Sequence, residues 1–176
     1  RGVNFFDTAE LYAVMPRKET YGKTEEIVGN WFQEKKNRDK IILASKIASK
    51  SDGLEWIREG SKTLGFDKKN MNAAIDESLK RLKTDYIDLY QLHWPERLTN
   101  YFAVRNFKYF NDSWEDNFQE ILHKLKKAVD AGKVRHVGLS NENPWGIMKF
   151  LEYSKNELPK MITIQNPYSL LNRLFE

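Results

Sequence analysis

The chain has no cysteine, so disulfides and thiolate metal sites are excluded, and a reducing, cytoplasmic setting is the expectation. No apolar run approaches the ~18 residues that a membrane span needs, and no signal-peptide pattern is visible. Charge of one sign is also never concentrated. The 29 basic and 25 acidic residues give a net charge of +4 and a pI near 9.1, but they are interspersed along the chain. So diffuse a bias argues against a dedicated nucleic-acid interface. A glycine-rich G-x-G-x-x-G turn is missing as well, which removes the fingerprint of a Rossmann-type dinucleotide fold. What remains is ample material for a core: 176 residues, 40% hydrophobic and 13% aromatic.

Five short apolar runs alternate with helical patterns. They are VNFF from Val3, KIILASK from Lys40, DYIDLYQLHW from Asp85, VRHVGLS from Val134 and MITIQ from Met161. Each is strand-sized and rich in Val, Ile, Leu, Phe or Tyr. Between them, Thr24 is placed to cap a helix carrying Ile27, Val28, Trp31 and Phe32, and Asn70 or Asn72 to start one carrying Ile75, Leu79 and Leu82. Ser113 is the expected opening of a third helix, with Ile121, Leu122, Leu125 and Val129 on one face and Gly132 just past its end. Asn143 followed by Pro144 signals the start of a fourth.

Unbroken alternation of strand and helix implies parallel strands joined by right-handed crossovers, and with the Rossmann fingerprint missing a barrel is favoured over an open sheet. A full (β/α)8 TIM barrel needs roughly 250 residues. The chain starts at Arg1 directly before a strand-like run and stops at NRLFE. It therefore reads as a single domain, the central part of a barrel, with about five of eight strands and with the first strand and the C-terminal strands missing. Segments leaving strands are long (Ala13 to Lys23, Ala48 to Lys69, Glu96 to Asp112), whereas those entering strands are short. In such barrels the elaborated end is the C-terminal face, where active sites are built.

Side chains alternate along a strand, so parity shows which residues share a face. Asp7 shares one with Phe5 and Val3, Lys46 with Ala44 and Ile42, and His93 with Gln91, Leu89 and Ile87. A carboxylate, an ammonium and an imidazole thus end three successive strands at the elaborated face. Tyr12, five residues beyond Asp7, can fold back over them. A phenol titrates near ~10. A neighbouring ammonium is expected to lower that value, a carboxylate behind it to keep the lysine charged, and an imidazole to hold a carbonyl oxygen beside the phenol.

Taken singly, each residue has an ordinary explanation. Asp7 is a turn former or helix cap, Lys46 a solvated strand end, His93 a satisfied core histidine, and Tyr12 a loop-packing aromatic. Their coincidence on consecutive strand ends is what points to a proton-delivering site. His123 sits among helix residues and His136 inside a strand. A metal-dependent hydrolase or isomerase using Asp7 and His93 is disfavoured, because no His/carboxylate cluster has ligand spacing and Lys46 would repel a cation.

In order along the chain, FFDTAELY, ILASK, DYIDLYQLHWP, KVRHVGLSN and ITIQNPYSLLNR resemble the successive strand-end motifs of the aldo-keto reductases. The QNPYSLLNR segment and the long loop after HWP resemble the bacterial Tas-type branch. That resemblance implies a barrel binding NADPH at its mouth, with NADH left open because the segment carrying the phosphate anchor lies beyond Glu176. It also implies reduction of aldehyde or ketone carbonyls, with Tyr12 as general acid and Asp7, Lys46 and His93 completing a tetrad. Ser140, Asn141 and Gln165 match the positions that hold the nicotinamide carboxamide, a task suited to amides; the SN pair before Pro144 also has the makings of a helix cap. Ala13 departs from the family's usual glycine after the tyrosine. The fragment alone is expected to be inactive. Some family members, such as potassium-channel β subunits, serve as partners of other proteins, so a nucleotide-binding regulatory protein with little turnover is the alternative. The loop from Arg97 to Phe118 holds Tyr101, Phe102, Phe107, Tyr109, Phe110 and Trp114. These side chains either wall the substrate pocket or pin the loop to the barrel rim.

Overall fold

The computed structural model describes residues 2–58, 64–102, 104–106, 113–155 and 157–174. Five parallel strands form one sheet in chain order: β1 (Phe5–Asp7), β2 (Ile42–Ile47), β3 (Ile87–Leu92), β4 (Val134–Ser140) and β5 (Met161–Gln165). Four helices lie in the crossovers: α1 (Lys23–Lys35), α2 (Lys68–Leu82), α3 (Phe118–Asp130) and α4 (Pro144–Tyr153). Together they form a curled half-barrel, five of the eight strands of a (β/α)8 barrel. The first three strands are shorter than the apolar runs that announced them, whereas β4 and β5 match theirs. Val3, for instance, lies outside β1 and is exposed.

The outward face of the sheet carries the core. Leu43, Ile47, Tyr90, Leu92, Val137 and Leu139 pack against Phe32, Met71, Ile75, Leu82, Leu122, Leu125 and Phe150 from the helices, the parity expected of a sheet covered by helices. The inward face is different in kind. Lys46 pairs with Gln91 across β2 and β3, and Gln91 with Gly138 across β3 and β4. Gly138 is small because a Cβ there would stand 2.1 Å from the Thr163 hydroxyl.

Strand β5 carries a register shift. Val137 pairs with Met161 but Leu139 with Ile164, three residues against two. Strict alternation would put Met161 and Gln165 on one face. The bulge separates them: Met161 joins the outer core, and Gln165 reaches the inward polar groups.

Three of the four expected helix starts move. Gly22, not Thr24, is the N-cap of α1, and the Thr24 hydroxyl bonds that of Thr8 at 2.9 Å. Asp67, not Asn70 or Asn72, caps α2 by accepting from the N–H groups of Lys69 and Asn70. Asp is as good a cap as Asn and stands before the run. Helix α3 starts at Phe118 rather than near Ser113, with Asp116 accepting the Phe118 N–H at 3.2 Å. Asn143 does cap α4, accepting from Gly146 N–H at 3.0 Å with Pro144 in the first turn. Gly132 follows α3 at φ 73°, the left-handed position that closes the helix.

Candidate functional site at the strand C-termini

Strand β2 delivers Lys46 to the inward face of the rim, where its side chain is 1% exposed. Its ammonium donates to Asp7 Oδ1 at 2.8 Å, to Asp7 Oδ2 at 2.7 Å and to the Thr8 carbonyl at 2.9 Å. Tyr12 leaves a turn closed by its own N–H on Ala9 O at 3.1 Å. That turn is stitched to the end of β2 by Glu10 N–H on Lys46 O at 3.2 Å. The fully buried Glu10 carboxylate adds Ala48 N–H at 2.6 Å, the Tyr21 hydroxyl at 3.1 Å and the Arg58 guanidinium. The phenol is therefore presented by a turn with little freedom. Lys46 Nζ lies 5.1 Å from the centre of the Tyr12 ring, and the His93 ring meets Tyr12 edge to face at 5.8 Å. His93 follows β3 directly and is anchored by its N–H on Ile47 O at 3.1 Å.

All four residues singled out at the strand ends therefore converge. Their ionisation departs from expectation at one point. Burial pushes the Tyr12 phenol above its usual value, and Asp7 adds to the rise. The lowering expected from Lys46 is not realised, because Asp7 sits on the ammonium and offsets its field. Burial lowers the Lys46 ammonium, while the charge of Asp7 and its hydrogen bonds pull the value back. Burial, helped by the Lys46 charge, drops the His93 imidazole to about 3. His93 is thus neutral through the physiological range, with one ring N–H to donate. Its Nδ1 is buried and has no hydrogen-bond partner among the described residues, so it is not a satisfied core histidine.

Ser140, Asn141 and Gln165 form a second group beside the first. The Ser140 hydroxyl donates to Gln165 O at 3.0 Å, and Asn141 donates its side-chain NH2 to His93 O at 3.0 Å and to Ser140 Oγ at 3.1 Å. Asn141 adopts φ 53°, a region asparagine tolerates better than most residues. Neither Ser140 nor Asn141 caps α4; that role falls to Asn143. Gln165 donates from Nε2 to Asp7 at 3.2 Å and accepts at Oε1 from Gln91 at 3.1 Å. Asn141 keeps Oδ1 as an acceptor and Gln165 keeps an N–H, a donor–acceptor set that fits a carboxamide.

Gln91 was not singled out from the sequence, although it lies on the same face as His93 and is the polar residue on a strand face otherwise made by Ile87 and Leu89. Glu10 was missed too, and its only signal was a carboxylate between Asp7 and Tyr12. The aromatic loop divides. Phe102 stands edge to face with His93 at 6.3 Å and against Trp94 at 5.6 Å, beside the site. Trp114 packs instead on Phe118 and Trp145, pinning the loop to α3 and α4. Phe107, Tyr109 and Phe110 lie outside the described residues.

The Aldo/keto reductase family model matches residues 1–176. The chain belongs to the aldo/keto reductase family. It is 44% identical to Protein tas of Escherichia coli (strain K12), over 100% of this chain and 51% of that protein. The aldo-keto reductase YhdN of Bacillus subtilis is 32% identical, over 100% of this chain and 43% of the relative. The chain thus spans about half the length of the curated relatives it matches. Among solved structures, the holo form of aldo-keto reductase AKR11C1 from Bacillus halodurans superposes with a TM-score of 0.66 at 28% identity, covering 96% of this chain and 45% of that one. An aldo/keto reductase from Klebsiella pneumoniae, in complex with NADP and acetate, gives a TM-score of 0.57 at 29% identity, covering 86% of this chain and 38% of that one.

Proposed function

We propose that this chain is the central part of an NADPH-dependent oxidoreductase that reduces aldehyde or ketone carbonyls to alcohols. The reading is carried by one observation: the Lys46 ammonium is bonded to the Asp7 carboxylate at 2.7 Å and lies 5.1 Å from the centre of the Tyr12 ring, which the His93 ring also meets, at 5.8 Å. Family membership and the NADP named for the Klebsiella protein support the choice of cofactor.

In this reading a bound reduced nicotinamide supplies a hydride to the carbonyl carbon. The protein's part is proton delivery and positioning. Tyr12 carries its proton throughout the neutral range because burial raises its pKa, and an alkoxide is far more basic than a phenolate, so transfer from phenol to the nascent alcohol oxygen runs downhill. His93 donates a hydrogen bond that fixes the carbonyl oxygen beside the phenol. Lys46 places positive charge under the ring as the phenolate forms, and Asp7 holds Lys46 in place. Asn141 and Gln165 orient the carboxamide of the cofactor, with Ser140 bracing Asn141.

The test is loss of NADPH absorbance when the full-length protein is given a panel of small aldehydes and ketones, with NADH run in parallel. Saturable oxidation supports the reading. Tight cofactor binding with no turnover across the panel points instead to the regulatory alternative.

A further inference from the structure

Gln91 has no part in the proton relay, yet it is one of the most deeply buried polar side chains on the inward face, at 2% exposure. It stands between the two functional groups. Its NH2 reaches Gln165 Oε1 at 3.1 Å and, more weakly, Asp7 Oδ1 at 3.4 Å. A carboxamide can present either its oxygen or its NH2 in a given direction, and a neighbouring donor decides which. By occupying the oxygen of Gln165, Gln91 leaves the NH2 of Gln165 facing Asp7 and open to an acceptor. Asn141 has the complementary bias, since both of its bonds use NH2 and its oxygen remains.

We propose that Gln91 is a positioning residue that sets the orientation of the Gln165 amide, so that the site offers one donor and one acceptor to a bound carboxamide. The proposal rests on the oxidoreductase reading and extends it to a residue on a central strand of the half-barrel. Gln165 sits on a strand whose bulge turns it inward. Gln91, on a regular strand, supplies the fixed reference.

The experiment is a cofactor-binding cycle in the full-length protein, read by NADP+ quenching of tryptophan fluorescence, which needs no turnover. Gln91→Met keeps length and volume but removes the donor; it is expected to weaken NADP+ by about three- to tenfold, the worth of one neutral hydrogen bond. Gln91→Glu can only accept, which turns the Gln165 NH2 toward it and leaves the oxygen facing the ligand, so a larger loss is expected. In a Gln165→Met background, Gln91→Met is expected to add almost nothing, because its effect passes through Gln165. Thermal melting of each variant identifies any that is misfolded, and the Glu variant carries the test if the Met variant is. A parent that binds NADP+ while both Gln91 variants bind it equally well overturns this inference alone. So does full additivity in the cycle. A full-length parent that binds neither NADP+ nor NAD+ overturns the oxidoreductase reading along with it.

Discussion

Asp7 and Asp88 are both strand aspartates held by cations, one at each end of the sheet. Asp88 accepts from Leu43 N–H at 3.0 Å, from Arg38 at 2.8 Å and from Arg135 at 2.7 Å, and these bonds hold its carboxyl below the usual range against the effect of burial. Arg38 in turn bonds the Ile41 and Tyr86 carbonyls, and Arg38 and Arg135 both stack on Tyr86. Both carboxylate oxygens of Asp88 are thus engaged. At the opposite end, Asp7 shares one lysine with a backbone carbonyl, and beside it His93 Nδ1 is buried without a partner. One end closes its polar groups on itself, as a structural network must. The other keeps groups uncommitted, which costs stability and suits a site that meets a ligand.

Among variants outside the phenol itself, the largest effect that separates the two ends is expected from Lys46→Met. In the full-length protein it should lower turnover by about 10²–10³-fold, as loss of a preorganised electrostatic partner does; steady-state rates with a small aldehyde check this. Next comes pH. The folded His93 pKa of about 3 lies below the unfolded value near 6.5, so the unfolded chain takes up the proton first. The stability that neutral His93 contributes is complete above pH 6.5 and is lost as pH falls from there to about 3, at up to about 1.4 kcal/mol per unit. Urea midpoints across that window should show this slope in the parent and a flatter one in His93→Gln.

Asp88→Asn works on the closed end. It should cost about 1–3 kcal/mol by leaving the donors of the largely buried Arg38 partly unmet, with turnover unchanged. The depressed pKa of Asp88 has a matching sign: its contribution is present above the unfolded carboxylate value and is lost as pH falls through the lower folded one. A turnover defect in Asp88→Asn would erase the distinction between the ends. The smallest effect belongs to Phe102→Ala. It should raise KM for aromatic aldehydes by about two- to tenfold, equivalent to 0.5–1.5 kcal/mol, with little change for acetaldehyde.

Much of this contrast was legible in the residues. Alternation of runs gave the parallel order, and period-2 parity placed Asp7, Lys46 and His93 on one face because their strands are regular. The facing of Gln165 was not legible in that way. It depends on a bulge that shifts parity mid-strand, and nothing in MITIQ marks it. Helix starts were misplaced where several capping residues compete within a few positions, as Asp67, Asn70 and Asn72 do. The direction of the Tyr12 shift was missed for an electrostatic reason. Parity counts charges on a face, whereas the phenol responds first to its own burial and then to the Asp7 charge, and both raise its pKa.

The central claim, that the open end delivers a proton through Tyr12, is tested most directly by Tyr12→Phe in the full-length protein, with kcat for a small aldehyde and the Kd for NADPH measured on the same sample. A fall in kcat of about 10²–10⁴-fold at unchanged NADPH affinity is the predicted result. Turnover equal to that of the parent would contradict it.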